Sequence, residues 1–517
     1  MSVSFLNGGV SLSGDPAVKA VVEMRNGAYS GIAETVLFSR NLLAVPLLII
    51  LDILAIGFSL GIAYLIRTYF LPTLLPGFFQ PELLANSVQN LWWLPLVLAA
   101  CMAYEELYQK RLPYWKEVEK ILKACTLAVI FSIALLYLAK MSGEMSRTLV
   151  MITWLMTVVL IPVVRYLGKL VMVMFGVWCR PVIIIGAGKT GELVATALIR
   201  EKTMGYEIIG LLDDNRELTG LTHSKSKKVI PILGAFAEAE KIIFQTRVQE
   251  VIVAAPGMPS RQLVELTNSL QPLVNNVMVV PDLFGLSMNG IEVEYFFEEQ
   301  ALLLNVKNRL KSTLNRSIKR LFDIFTGVLL LFSCIPLLCL IAVAIKLDSR
   351  GPVFFAQERM GQGSDSFTCY KFRTMLLEGD SLLKNYLRKN PQARQEWQTY
   401  NKLKDNDPRV TGVGAALRRF SLDELPQLIN VILGNMSLVG PRPYLMRERK
   451  QMGNWIYDIH VAKPGITGLW QVSGRNEIDF EGRLKLDVWY VRNWSLWLDI
   501  VLLLKTFRAV LKKDGAY

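Results

Sequence analysis

Histidine is nearly missing from this sequence: His223 and His460 are its two copies, and they stand far apart in 517 residues. That argues against a zinc centre and against a His-based catalytic triad. The six cysteines (101, 125, 179, 334, 339 and 369) include no Cys-x-x-Cys pair and no regular spacing. They fit reduced, cytoplasm-facing or lipid-buried thiols rather than a disulfide framework. Charge is scarce too: 20% of residues are charged against 52% hydrophobic, and the mean hydropathy is +0.34. So apolar a composition points to membrane segments. Acids are outnumbered, 44 against 57 basic residues, for a net charge of +13. On an apolar chain this excess favours anionic lipid and phosphorylated substrates as partners over nucleic acid. The first residues carry no recognisable cleavable signal peptide.

What is present begins with apolar runs. After a mixed N-terminal segment (1–40), runs cover 42–66, 91–104, 121–138 and 148–164. At about 1.5 Å per residue the first and third are long enough to span a bilayer. The second is short unless it extends into flanking residues, and the fourth needs to continue past Arg165. Basic residues bias the connections. Lys110, Arg111, Lys116 and Lys120 follow the second run, and Arg165, Lys169 and Arg180 follow the fourth. The loop between the first two runs has only Arg67, and the next outer loop has Lys140 and Arg147. The expectation is a four-helix transmembrane bundle over 41–179 with both ends in the cytoplasm. The plainer alternative is that one weak run is a buried soluble helix.

The next segment reads PVIIIGAGKTG. A β-branched strand leads into Gly186, Gly188 and Gly191 in the Gly-x-Gly-x-x-Gly spacing, followed by a helical pattern. A second strand ends in Asp213 and Asp214, about 22 residues on. Residues 180–305 are therefore expected to form a Rossmann-like α/β domain. Two readings stay open, a dinucleotide site at those glycines or a scaffold. No Tyr-x-x-x-Lys pair suggests reductase or dehydratase chemistry.

The final segment, 306–517, opens with six basic residues and no acid: Lys307, Arg309, Lys311, Arg316, Lys319 and Arg320. Such a run gains roughly 1 kcal/mol per cation near anionic lipid. An apolar stretch, 321–345, follows, with Pro336 near its middle and basic residues on both flanks. Proline removes a backbone bond and bends a helix. A helix that enters, breaks and returns keeps the domains on both sides of it in the cytoplasm. Further on, the stretch RRFSLDELPQLINVILGNMSLVGPRP places adjacent carboxylates, Asp423 and Glu424, at an expected helix start. Ser421 would be the N-cap, with Glu424 completing a capping box and the helix ending near Gly434. Alone, that spacing is usually only a cap. Its company is Arg418 and Arg442, with Lys371 and Arg373 upstream in YKFRTM. A carboxylate in that positive field is expected to have a depressed pKa. Gln471 and Asp487 are candidates for closing the site, with a loop amide and a helix-face acid as the bland readings. Asp499 lies in a strongly apolar stretch, where an acid needs a partner or a role. The Trp- and Leu-rich C-terminal run suits a lipid interface or ordinary core packing.

The motifs KFRTM, SLDELPQL, GNMSLVGPRP and KPGITGLWQVSGR occur in that order over about 315–517. In this the chain resembles the bacterial polyprenyl-phosphate hexose-1-phosphate transferases. The resemblance implies a multi-domain membrane protein: an α-helical transmembrane bundle, an α/β accessory domain and a mostly α catalytic domain with a re-entrant membrane helix. In the family the helix-breaking proline usually follows a serine; here Ile335 precedes Pro336 and Ser333 lies two positions before Ile335. The resemblance further implies Asp423 as nucleophile and Glu424 as its partner at a Mg²⁺ ion, with Asp423 beside the metal. Arg442 would grip a substrate phosphate, and Lys371, Arg373 and Arg418 are weaker candidates for that task. The implied substrates are a UDP-hexose, with galactose ahead of glucose, and undecaprenyl phosphate. The product would be the first lipid intermediate of a surface polysaccharide, made at the inner membrane by a homodimer. Two other classes remain: an NAD-dependent nucleotide-sugar enzyme resting on Gly186–Gly191, and a non-catalytic membrane scaffold.

Overall fold

The computed structural model describes residues 32–74, 93–138, 146–215, 221–222, 229–283, 291–296, 301–400, 403, 407–474 and 478–512. The chain forms two compact units that meet in sequence between Asp282 and Leu283.

The first unit begins with apolar helices α1 (Ile32–Leu65), α2 (Leu94–Tyr104), α3 (Tyr114–Leu138) and α4 (Arg147–Met174). Beyond Leu65 the first helix continues through a π-helical turn, Ile66–Phe70, to Leu74. Three stretches, Leu43–Leu74, Tyr114–Leu138 and Arg147–Met174, are long and apolar enough to cross a membrane. The fourth apolar run thus does continue past Arg165. α2 has 11 residues, or about 16 Å of helix, short of a hydrocarbon core of about 30 Å; residues 75–92 before it lie outside the described ones. Ser146 starts α4 by accepting a hydrogen bond from the Leu149 N–H at 3.3 Å. Inside the bundle Arg165 makes a fork with Asp52 (2.8 and 2.7 Å) and reaches Glu117 at 3.1 Å. Lys169 also binds Glu117, at 2.6 Å. Two cations that the sequence places in a basic flank are therefore buried and paired, because isolated charge in so apolar a bundle is too costly.

The α/β part of this unit is a parallel sheet. Its strands are β1 (Arg180–Ile185), β2 (Tyr206–Leu212), β3 (Ile232–Gly234), β4 (Glu250–Val253) and β5 (Asn276–Val279), in the order β3-β2-β1-β4-β5. Helices α5 (Lys189–Arg200), α6 (Ala239–Thr246) and α7 (Ser260–Leu270) connect them. Val182, Ile183, Ile184 and Ile185 are all fully buried, as expected of a strand covered on both faces. The Gly-rich turn follows β1, where the strand order reverses.

The second unit starts with a hairpin, β6 (Ile291–Phe296) and β7 (Ala301–Val306), and the long helix α8 (Thr313–Asp348). A second hairpin pairs β8 (Phe354–Met360) with β9 (Ser366–Phe372). Then come α9 (Gly379–Lys389), α10 (Pro391–Tyr400), α11 (Gly412–Arg419) and α12 (Gln427–Leu433). Two short parallel strands, β10 (Ser437–Val439) and β11 (Gly465–Thr467), pair with each other. Helices α13 (Phe480–Arg492) and α14 (Leu496–Lys512) close the unit. Its main core joins Leu428, Val431, Leu438, Val439, Tyr490 and Leu502.

One face of α8 packs on this unit along both halves. Near its start Lys319 binds Asp499 at 2.6 Å and the Val439 carbonyl at 3.0 Å. Arg320 donates to the carbonyls of Val431 and Ile432 at the end of α12, where a cation complements the helix dipole. Asp323 accepts the Leu438 N–H at 3.1 Å. Near its end Ile341 and Ile345 pack with Phe372 and Leu417. The opposite face exposes Leu321, Phe325, Phe332, Leu340, Val343 and Leu347 at three- to eight-residue spacing. Pro336 lies inside the helix. The Ser333 hydroxyl donates to the Leu329 carbonyl at 2.8 Å, not to the Phe332 carbonyl that proline leaves without its i+4 donor.

Candidate active site

The carboxylate pair is set between a strand and a helix. In the β8–β9 hairpin Lys371 faces Phe355 and Arg359 faces Phe367. Asn430 of α12 clamps the hairpin: its Oδ1 accepts the Tyr370 N–H at 3.0 Å and its Nδ2 donates to the Thr368 carbonyl at 2.7 Å. α11 ends at Arg419; Ser421 then takes a left-handed conformation (φ +54°), and Leu422–Glu424 form a 3-10 turn. α12 begins only at Gln427 and ends on Gly434 (φ +94°). The expected end at Gly434 is present, as is a helix close behind the acids.

The expected capping box is not. Ser421 makes no side-chain cap bond, and Glu424 turns to Lys371, with Nζ to Oε1 at 2.5 Å. A charge-assisted bond to lysine outweighs a neutral cap bond. The pKa expectation is also corrected. Asp423 is pushed up to about 6, first by burial and then by the adjacent Glu424, against the opposing pull of Lys371 and Arg418. Desolvation of the half-buried acid outweighs the positive field. Arg418 donates from Nε to the Thr374 hydroxyl at 3.0 Å and is one of the cations acting on Asp423.

Arg373 goes elsewhere. It is buried, and its guanidinium donates to the carbonyls of Arg350 and Ser349. It ties down the end of α8 and is not grouped with the carboxylates.

The Gly440–Pro443 turn leaves the end of β10, and Trp470 lies just past the end of β11. A Cβ on Gly440 would come within 2.4 Å of the Lys463 carbonyl, so the two loops approach too closely for a side chain there. Arg442 donates its backbone N–H to Asp487 Oδ2 at 3.0 Å, and the Tyr444 hydroxyl donates to the same oxygen at 2.9 Å. Asp487 is fully buried and pushed up to about 7 by that burial. Its place is beneath the Arg442 loop, which it holds. Gln471 donates to the Ile466 carbonyl at 3.2 Å within its own loop. The Arg442 guanidinium lies over the Trp470 ring at 5.5 Å, and Arg483 lies over the same ring at 5.2 Å. Arg359 donates to the Pro443 carbonyl at 3.0 Å. Arg359, Arg483 and Trp470 carry no spacing signal in the sequence that ties them to Arg442; strand pairing and the α13 packing bring them there.

For a divalent cation, the residues that could serve as ligands are Asp423 and Glu424, of which Glu424 already binds Lys371. Among the described residues no group of three or more His, Cys, Asp or Glu side chains could hold a metal. Two carboxylates suit Mg²⁺, which keeps waters and takes substrate phosphates as its other ligands.

Asp499 has the partner that its setting demands: Lys319, the Tyr490 hydroxyl at 2.8 Å and the Trp494 N–H at 3.1 Å. At the Gly-rich turn Gly186 has φ +107°, and a Cβ on Gly191 would sit 2.0 Å from the Gly186 carbonyl oxygen. Gly188 has open space around it. Asp213 accepts the Ala187 N–H at 2.6 Å and the Asn215 N–H at 2.8 Å, so that carboxylate already serves the loop.

Residues 314–513 match the family model described as bacterial sugar transferase, and residues 105–281 match one described as a CoA-binding domain. The chain is 35% identical to an undecaprenyl-phosphate galactose phosphotransferase of Salmonella typhimurium, over 79% of this chain and 84% of that one. It is 34% identical to a UDP-galactose-lipid carrier transferase of Erwinia amylovora, over 90% of this chain and 96% of the relative. A UDP-glucose:undecaprenyl-phosphate glucose-1-phosphate transferase of Escherichia coli is 33% identical, over 65% of this chain and 69% of its own length. The chain is a transferase. It belongs to the family of polyprenyl-phosphate hexose-1-phosphate transferases.

Proposed function

We propose that this protein transfers galactose 1-phosphate from UDP-galactose to undecaprenyl phosphate through a covalent intermediate on Asp423. The observation that carries the reading is the Asp423–Glu424 pair with Lys371 and Arg418 acting on it, in a chain whose relatives over most of its length are named for such transfers. Ionised Asp423 attacks the β-phosphorus of the nucleotide sugar. A bond forms between the carboxylate oxygen and phosphorus, the bond to the bridging oxygen breaks, and UMP leaves with that electron pair. A phosphate oxygen of the lipid then attacks the same phosphorus. The aspartyl bond breaks, Asp423 is regenerated, and the sugar diphospholipid leaves. Lys371 and Arg418 offset the phosphate charge. Mg²⁺ bound at Asp423 and Glu424 would supply further charge neutralisation. Galactose rests on the two relatives matched over most of their length; glucose, named for the Escherichia coli relative, is the second reading.

In this proposal α8 is a re-entrant membrane helix. A straight helix of 36 residues measures about 54 Å, yet both its halves pack on one unit and its outward face is apolar. A helix bent at Pro336 and dipped into the inner leaflet accounts for both facts and keeps the catalytic unit in the cytoplasm, where nucleotide sugars are.

The test is UMP release by the full chain in nanodiscs with Mg²⁺, undecaprenyl phosphate and either UDP-galactose or UDP-glucose. Lipid-dependent release that Asp423→Asn abolishes is expected. Full activity in that variant would sink the covalent mechanism, and release from UDP-glucose alone would reassign the sugar.

A further inference from the structure

Three guanidiniums gather at the ends of β10 and β11, with Glu448 and Asp487 among the nearby acids. Arg442 and Arg483 share the Trp470 ring, and Arg359 reaches the same loop through the Pro443 carbonyl. Among the described residues none of the three forms a salt bridge, and Arg483 donates only to the Ile478 carbonyl, at 3.0 Å. Burial and then the charge of Arg442 lower the pKa of both Arg359 and Arg483, so the cations repel one another. Two buried donors of the cluster, Arg359 Nε and Trp470 Nε1, have no hydrogen-bond partner. Buried unpaired donors and neighbouring like charges are both costly; an anion seated among them lowers both costs. Planar guanidiniums are suited to phosphate oxygens.

The position narrows the anion. Arg359 lies on β8, in the same hairpin as Lys371, which binds Glu424, so this cluster and the carboxylate pair share the β8–β9 hairpin. We propose that Arg359, Arg442, Arg483 and Trp470 form a second phosphate seat, beside the Asp423 site, for the phosphate that departs on the nucleotide. The assignment rests on the proposed function. A diphosphate has two phosphorus atoms side by side, which suits two adjoining seats: the β-phosphate at Asp423 and the α-phosphate here. The lipid monophosphate fills only one.

The experiment is equilibrium binding of UMP to the full chain in phosphatidylcholine nanodiscs, alongside KM for the UDP-hexose and for undecaprenyl phosphate. The variants are Arg483→Gln and Arg359→Gln, with Arg483→Lys as a charge-keeping control and melting curves to verify the fold. Loss of one charge-assisted contact is expected to weaken UMP binding about tenfold or more and to raise KM for the nucleotide sugar in step. KM for the lipid stays unchanged, and Arg483→Lys recovers part of the loss. A rise in lipid KM with UMP affinity intact would overturn the nucleotide assignment. Unchanged UMP affinity and unchanged KM values in both glutamine variants would overturn the seat itself. UMP binding needs no turnover, so failure to turn over any UDP-hexose would count against the proposed reaction and leave this site measurable on its own.

Discussion

Lys371 Nζ lies 2.5 Å from Glu424 Oε1, across 53 residues of sequence, and this pairing leaves Asp423 as the carboxylate that burial controls. With Asp423 pushed up to about 6, the free enzyme loses the carboxylate proposed as its nucleophile as pH falls through that value. The expected kcat/KM for the UDP-hexose therefore rises with pH to a plateau, with an apparent pKa near 6. Glu424→Gln removes a like charge and moves this limb to lower pH; Lys371→Met removes a cation and moves it to higher pH. A profile flat from pH 5 to 8, or shifts of the opposite sign, would rule out this account. The stability sign is also fixed. A carboxyl whose folded pKa is raised contributes stability below its unfolded pKa of 3.8, and that contribution is lost as pH rises through about 6.

The buried pair Lys319–Asp499 makes a different prediction. Both side chains are nearly inaccessible, at 8% and 0% exposure. Lys319→Met strands a carboxylate in the core and is expected to cost about 3–5 kcal/mol. Adding Asp499→Leu removes the stranded charge, so the double variant should be more stable than Lys319→Met. Denaturation in detergent measures both; simple additivity would show that the pair is not coupled.

Several of these relationships had a local signature and others had none. The Gly-rich turn, the end of α12 at Gly434 and the need of Asp499 for a partner follow from neighbouring residues, because backbone sterics and apolar context act over a few positions. The partner of Glu424 does not, since spacing alone made Ser421 its natural mate. The direction of the Asp423 shift was also illegible: a sequence displays the nearby charges but not the burial that outweighs them. Arg165 and Lys169 read as flanking cations because their acids, Asp52 and Glu117, lie on other helices. Arg359 and Arg483 reach Arg442 only through strand pairing and helix packing.

The glycines of the first unit separate two demands. Gly191→Ala would put a methyl group 2.0 Å from the Gly186 carbonyl, and overpacking of that kind costs about 1–3 kcal/mol. Gly188 has open space and φ −68°, so Gly188→Ala should leave the melting temperature nearly unchanged. Equal losses in the two variants would mean that the turn is not held by the Gly191 contact.

Tyr444 and Asp487 test how the Arg442 loop is held. The Tyr444 hydroxyl and the Arg442 N–H both donate to Asp487 Oδ2, and both favour the ionised carboxylate. Asp487 is pushed up to about 7 by burial even with these bonds in place. Tyr444→Phe removes one of them, so the carboxyl pKa rises further and the variant loses about 1.5–3 kcal/mol where the carboxylate is charged. At pH 6, where Asp487 is mostly protonated, the hydrogen bond to the anion contributes less. The stability loss should therefore be larger at pH 8.5 than at pH 6. Melting curves of the two proteins at both pH values make the comparison, and a loss independent of pH would mean that the Tyr444 hydroxyl does not act through the ionised Asp487 carboxylate.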